Sequence, residues 1–413
     1  MSVKLKKIAR EFKQERIEDP YQETLKEIRR KDCSIAPGQS IAVAVGSRGI
    51  SNLSSVVRGV IEAIKEKGAE PFIVPAMGSH GGATAEGQEE VLAGYGITEK
   101  TVGAPVRSCM EVVELPQGSC PSRVYMDRLA CGADGTVVVN RIKCHTDYHG
   151  SYESGLIKMC VIGLGKHKQA LEIHRHGVKG LREFVPECAK QILAHGNIRL
   201  GVGIVENAVH QTSLIRAVQP GRFFSEEAEL LEIARARMGL LPVRELDVLI
   251  IDEFGKDISG TGVDTNVIGR IRIDTEREPD FPRIQWIVLC DLTEKSHGNA
   301  TGIGLADFIT RRVFDRIDLR ATTENAVTST FLERGRIPIV GETPQKCLEY
   351  AVRMCRNSDV ERLRIMRIKN TLDLAVMYVS EAVWKELKVR PDLIPLKGEF
   401  EAPFDKEGEL VPF

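Results

Sequence analysis

The chain has 413 residues, 42% hydrophobic and 28% charged, with 57 Lys+Arg against 58 Asp+Glu and a formal net charge of -1. That length exceeds one ordinary core, so two domains are expected. The balanced charge, with no long single-sign block, excludes a surface built for nucleic acid or an anionic membrane and leaves a small molecule as the default ligand.

The opening stretch, MSVKLKKIAREFKQERIEDP, is charged throughout and lacks the apolar core of a signal peptide. No run is long enough to span a bilayer, so a cytoplasmic protein is expected. Ten cysteines are scattered without a Cys-x-x-Cys pair. They read as reduced, packed thiols rather than a disulfide framework or a thiolate zinc site.

Residues 40–45 (SIAVAV) form a short β-rich run, broken by Gly46-Ser47-Arg48-Gly49. A helix is expected over 52–67, with Leu53, Val56, Val57, Val60, Ile61 and Ile64 at helical spacing. Residues 71–75 (PFIVP) are the next strand, stopped at Gly78-Ser79-His80-Gly81-Gly82, and Thr84 N-caps the helix that follows. Residues 135–140 (GTVVVN) give a third strand. Strand, turn, helix and strand at this pace mean βαβ units and a mainly parallel sheet. Further strands are expected at 198–205 and 212–218, then an amphipathic helix over 223–238.

Gly239-Leu240-Leu241-Pro242 changes the texture, and a second series follows. Strands are expected at 246–252, 285–291, 338–340 and 372–379, and helices at 303–312 and 343–354. The expected architecture is α/β: two α/β domains with mainly parallel sheets and an active-site cleft between them. The N-terminal domain takes 1–242, the C-terminal domain 243–390, and the tail 391–413 packs back on the body.

In parallel sheets, ligands bind outside the carboxyl ends of the strands. Arg48, His80 and His145 all follow strands, so one arginine and two histidines are expected on one rim. Arg48 could grip a carboxylate or phosphate through two parallel hydrogen bonds, or simply form a surface ion pair. His80 sits in GSHGG, where small neighbours allow close approach, or it is only a turn residue. His145 and His149 are four apart, but Asp147-Tyr148 and Gly150 suggest a loop, which leaves His145 facing the site.

Residues 140–177 gather five of the nine histidines (His145, His149, His167, His174, His176) around Lys158. The lysine lies in GLIKMCVIG. In such surroundings it loses its charge cheaply and becomes a nucleophile or covalent tether, unless it snorkels to water. His174 and His176 close a helical run over 166–173, and His176, before Gly177, fits a capping role. In the second domain, GKDISGTGVDTNVIGR and TEKSHGNATGIGLADF are Gly-rich turns after strands, neither a dinucleotide fingerprint nor a Walker A loop. Lys256, Asp257, Asp264, Lys295 and His297 are their candidates to reach a cleft.

The order Arg48, His80, His145, Lys158, His174 resembles the lactate racemase family, the nickel-pincer-nucleotide-dependent 2-hydroxyacid racemases and epimerases. The resemblance runs from about Ser40 to Gly177 and beyond that is only one of a second α/β domain. It implies a nickel-pincer nucleotide, a pyridinium-3,5-bisthiocarboxylic acid mononucleotide carrying Ni, joined covalently to Lys158. It also implies nickel ligation by His174, sixteen residues on, and His80 and His145 as the acid/base pair on opposite faces of the substrate. Ser47 and Arg48 would meet the cofactor; Arg48, Lys256 and Lys295 would meet the substrate. The implied reaction inverts C2 of a 2-hydroxy acid, a sugar acid being one candidate, by hydride transfer to the cofactor. The implied partners are that acid and the proteins that make the cofactor.

The sequence departs from the family pattern at three places. Val45 stands where lactate-acting members carry an acidic residue, the His145–Lys158 loop is longer, and the family's Gln and Lys after the first strand of the second domain have no match. Two other readings compete: a zinc hydrolase or lyase using His145, His149 and His174, and a non-catalytic binder of a nucleotide or hydroxy acid.

Overall fold

A computed structural model describes residues 3–12, 15–46, 49–355, 359–396 and 399–413. It is a mixed α/β protein with two mainly parallel sheets, of five and eight strands, and a two-stranded hairpin. Contacts divide the chain into two compact units, Gln14–Met238 and a second formed by Met1–Lys13 with Gly239–Phe413.

In the first unit the sheet runs Glu70–Pro75, Ser40–Val45, Gly135–Arg141, Ile198–Glu206, Thr212–Val218. The first four strands are parallel and the last is antiparallel. Val45 pairs with both Pro75 and Val139, so two strands finish level and Gly135–Arg141 runs two residues further. Helices Pro20–Arg29 and Leu53–Glu66 cover one face, packing Leu25, Ile28, Val56, Val57 and Val60 against Ile41, Val43, Val139 and Val202. On the other face, a Cβ at Gly201 would stand 2.7 Å from both Leu156 and Phe223. Only glycine lets helix Phe223–Arg237 and the lysine segment lie that close. With both faces buried, the strands are continuous apolar runs instead of alternating ones.

The second unit's sheet runs Ile339–Gly341, Phe308–Thr310, Arg283–Leu289, Glu245–Ile251, Ile365–Ile368, Val376–Val379, Lys6–Arg10, Leu393–Pro395. It is parallel as far as Ile365–Ile368 and antiparallel beyond. Lys6–Arg10, which the sequence reading kept with the N-terminal domain, is thus a strand of this sheet, paired to Val376–Val379 and to Leu393–Pro395 of the tail.

The helix expected over 303–312 is not formed. A 3-10 turn, Ile303–Leu305, leads into strand Phe308–Thr310 and then the short helix Arg311–Asp315. Phe308 pairs with both Val288 and Ile339, so the sheet claims the apolar residues that mimicked helical spacing. The strand expected over 372–379 begins only at Val376, because the Asn370 side chain accepts the N–H groups of Leu372 and Asp373 and holds a turn there. Ile365–Ile368 is an interior strand that the sequence reading missed. Its Arg367 is 1% exposed, clasps Asp252 through two hydrogen bonds, and lies against the rings of Tyr378 and Phe413. The ten cysteines are free thiols. Among the described residues no helix is long and apolar enough to cross a membrane.

Candidate active site

Three neighbouring strand ends in the first unit carry the site. Gly46, Ala76 and Asn140 follow or finish them, and a π-helical turn, Met159–Gly163, packs down on all three. Its signature bond runs from Leu164 N–H to Met159 C=O, 3.0 Å and five residues back. Such turns insert one extra residue into a helix and are frequent at functional sites. Glycine is required at 163, where any Cβ would run into Met159 Sδ and the Ala76 carbonyl.

Lys158 closes the short helix Leu156–Lys158 just before this turn and is half-buried. Its Nζ lies 2.6 Å from Nε2 of His145. The two residues are thirteen apart in sequence and are brought together by the irregular loop that leaves strand Gly135–Arg141. The His145 ring is stacked on Tyr148 at 4.7 Å, and its Nδ1 accepts the backbone N–H of Asp147 at 3.1 Å.

A buried carboxylate sets the loop. Glu153 is 1% exposed and accepts from His145 N–H (2.6 Å), Gly150 N–H (3.1 Å) and Arg235 Nη2 (3.0 Å), with the His149 ring at 3.4 Å. The Tyr148 hydroxyl donates to the Glu153 carbonyl, and burial pushes that phenol far above its usual range. His149 therefore belongs to the loop's scaffold. Asn140 donates to the Gly155 carbonyl at 2.8 Å and ties the strand end to the lysine helix.

A second buried carboxyl, Glu227, sits under that helix and accepts from Ile157 N–H at 2.8 Å. Its Oε1 has no partner, and burial raises the group to about 7 despite the backbone hydrogen bonds of Ile157 and Leu156.

His174 ends helix Lys166–His174. Burial, then the Lys158 charge, lower its pKa to about 4, against an opposing pull from Asp147, so the ring is neutral near pH 7. A neutral imidazole is the form that binds a metal. His176 is exposed, its ring tilted by 57° against Phe184 at 4.8 Å, and His167 is exposed.

His80 is exposed and lies on the loop after Glu70–Pro75. Gln88 holds this loop by donating to the carbonyls of Gly78 (3.0 Å) and His80 (3.2 Å). The amide oxygen of Gln88 is in turn held by Lys166 at 3.0 Å. Lys166 is fully buried, paired with Asp127 at 3.1 Å and bonded to the Pro75 carbonyl, with a left-handed backbone (φ 55°). Thus one buried ammonium fixes both a strand end and the His80 loop. Ser47 and Arg48 lie outside the described residues.

In the second unit, Lys256 is half-buried and donates to the Gly260 carbonyl and Asn325 Oδ1, both at 3.0 Å. Lys295 and His297 are exposed on the turn around Glu294–Ser296. Asp257 accepts from Thr293 Oγ1 at 2.5 Å, and Asp264 caps helix Thr265–Ile268.

The sequence reading missed Glu153, Glu227, Asn140, Gln88 and Lys166. Glu227 alone had a legible signal: it falls four residues after Phe223 and four before Leu231, on the apolar face of its helix.

Fold and site together define a two-unit α/β protein with a lysine–imidazole pair over the carboxyl ends of a parallel sheet. Residues 46–237, all within the first unit, match a family described as a domain of unknown function, DUF362. No curated protein matches. The fold is similar to that of the lactate racemase apoprotein from Thermoanaerobacterium thermosaccharolyticum, with a TM-score of 0.50 and 12% identity over 90% of this chain and 99% of that one. A protein from Thermotoga maritima is similar over 66% of this chain and 71% of its own, with a TM-score of 0.49 and 12% identity. At such identities the likeness is one of fold.

Proposed function

We propose that this protein is a racemase or epimerase acting at C2 of a 2-hydroxy acid, with a nickel-pincer nucleotide carried on Lys158. The observation that carries the reading is the 2.6 Å contact of Lys158 with His145, beside a neutral His174, in a chain sharing the lactate racemase fold.

The donor set fits such a group. Among the described residues no three His, Cys, Asp or Glu side chains are grouped to hold a metal ion. That disfavours the three-histidine zinc reading, whereas a pincer ligand supplies most donors itself and asks the chain for one imidazole and one amine. His174 would be the imidazole and Lys158 the amine. When bound, the group supplies a hydride acceptor, which spares the site from building negative charge beside the substrate carboxylate.

The chain's own residues handle the proton. His80 and His145 each take the hydroxyl proton in one direction and return it in the other. A positioned base of this kind contributes ~10²–10⁴ in rate. In the free chain His145 Nδ1 faces the Asp147 N–H at 3.1 Å and Nε2 faces Lys158 Nζ at 2.6 Å. Acylating Lys158 removes its charge from beside Nε2. The ring can then carry its hydrogen on Nδ1, toward the Asp147 carboxylate 3.8 Å away, and present Nε2 as a base. Arg48 is the cation proposed for the substrate carboxylate, and Ser47 and Arg48 for the cofactor.

The test is to produce the protein alongside cofactor-making proteins, then measure nickel, the mass added at Lys158, and scrambling at C2 across short and sugar-derived hydroxy acids. Adduct, nickel and scrambling together support the reading. Activity in a protein free of both nickel and adduct overturns it.

A further inference from the structure

We propose that the Cys120 and Cys188 thiols form an oxidation site, which a peroxide converts to a disulfide joining a hairpin turn to the helix packed on the lysine segment. The two sulfurs lie 3.1 Å apart although 68 positions separate them in sequence. A disulfide bond is ~2.05 Å long, so closure asks for about 1 Å of approach. Other cysteines are engaged elsewhere: Cys347 donates to the Ile309 carbonyl at 3.2 Å and Cys355 to the Ala351 carbonyl at 3.3 Å.

The fold builds this contact from both sides. Strands Val112–Leu115 and Val124–Asp127 form an antiparallel hairpin, and Cys120 lies in the turn between them. Gly118 of that turn has a left-handed backbone (φ 53°), and a Cβ there would stand 2.8 Å from Gln191 Oε1. Gln191 follows Cys188 by one turn of helix Val185–His195, on the same face. Glycine and cysteine together thus seat the turn on that helix. Residues 116–119 and Pro121 are exposed while Cys120 and Cys188 are buried, so the thiols lie one layer below solvent, within reach of a molecule as small as a peroxide. The Cys188 thiol, donating to Cys120 Sγ, lowers the Cys120 pKa against the cost of burial, and the Ser122 N–H adds to that pull. Cys188 is raised in turn, first by the same hydrogen bond and then by burial. Cys120 is therefore the nucleophile and Cys188 the resolving thiol.

The chemistry balances with hydrogen peroxide as the oxidant. The Cys120 thiolate attacks one peroxide oxygen: a sulfur–oxygen bond forms, the oxygen–oxygen bond breaks, and hydroxide leaves and takes a proton from water. The Cys188 sulfur then attacks Cys120 Sγ, and the sulfenic hydroxyl leaves as water with the Cys188 proton. Two thiols lose two electrons to the peroxide, which ends as two waters. The loop so closed contains His145, Lys158 and His174, together with Asp127 and Lys166. A cross-link across a loop of that length acts mainly by restricting the unfolded chain. Helix Val185–His195 also packs on Leu156–Lys158 and Met159–Gly163, so the bond ties the hairpin to the support of the lysine.

The experiment uses the full chain, reduced and made without nickel or cofactor-making proteins, so it does not depend on the racemase reading. Hydrogen peroxide is added at neutral pH, remaining thiols are capped with N-ethylmaleimide, and unreduced peptides are mapped by mass spectrometry. The expected product is a Cys120–Cys188 cross-linked peptide. It should form at least ~10-fold faster than half-buried Cys355 is oxidised, since burial pushes that thiol up to about 11. Dithiothreitol should restore both thiols. In urea followed by dichroism, oxidation should lower the unfolding constant of the first unit ~10²–10³-fold. Fluorescence of Trp286 and Trp384, both in the second unit, should not move. Cys188→Ser should lose the cross-link and the added stability, and leave Cys120 as a sulfenic acid that dimedone captures. Cys120 and Cys188 still free when Cys355 has been oxidised, or a Cys188→Ser chain that gains the same stability from peroxide, overturns the proposal. Either result leaves the nickel and C2-scrambling test standing.

Discussion

Glu227→Gln should stabilise the first unit above neutral pH and remove a pH dependence the natural chain possesses. The carboxyl is 1% exposed, and burial raises it from 4.5 to about 7. That difference corresponds to about 3 kcal/mol, at roughly 1.4 kcal/mol per pH unit. A carboxyl raised on folding binds its proton more tightly in the native state, so its contribution is favourable at low pH. Stability is therefore lost as pH rises from about 4.5 to about 7, and is level beyond. Glutamine keeps the oxygen that accepts Ile157 N–H and cannot ionise. At pH 5 the two proteins should unfold at nearly the same urea concentration. At pH 8 the variant should be more stable by up to about 3 kcal/mol. Far-UV circular dichroism follows both units, while Trp286 and Trp384 both lie in the second unit and supply an internal control by fluorescence. A natural chain whose dichroism transition is flat between pH 5 and 8, or a variant equally weakened at both, would refute the reasoning.

Glu153→Gln should cost about 2–3 kcal/mol in urea unfolding, since Arg235 and two loop N–H groups lose their charged acceptor, and should loosen the His145 loop to hydrogen exchange. Lys166→Met should cost about 3–5 kcal/mol because it strands the buried Asp127 carboxylate, and Lys166→Met with Asp127→Leu should recover part of that loss. Gly163→Ala should cost about 1–3 kcal/mol in urea unfolding, from its clash with Met159 and Ala76.

The first unit was legible because its strands are buried on both faces. Runs such as SIAVAV and GTVVVN have no competing reading, and the strand ends followed from the Gly-rich breaks. The second unit was less so. Strand Ile365–Ile368 hides behind Arg367, and Lys6–Arg10 behind Lys6, Lys7 and Arg10, since charged residues mask interior or paired strands when their charge is satisfied by distant partners. At the site, residue types and approximate places could be read, and contacts could not. The His145–Lys158 contact depends on a loop closed by Glu153, whose partners come from four residues, one of them eighty-two positions away. The fully buried Lys166 stood in the sequence only as the first residue of a helical run, because nothing local signals Asp127 or Gln88.

The turn at Met159–Gly163 also bears on how related sequences should be lined up. A five-residue step in an otherwise 3.6-residue rhythm offsets the residues that follow by about a quarter of a revolution, until the left-handed Lys166 starts a new helix. Comparing this stretch with a regular helix at constant stride would misplace Leu164 and Gly165 relative to Lys158. A one-residue deletion there, silent by composition, would move Gly163 off the one place where the Ala76 carbonyl leaves no room for a Cβ, while leaving every site residue in the chain.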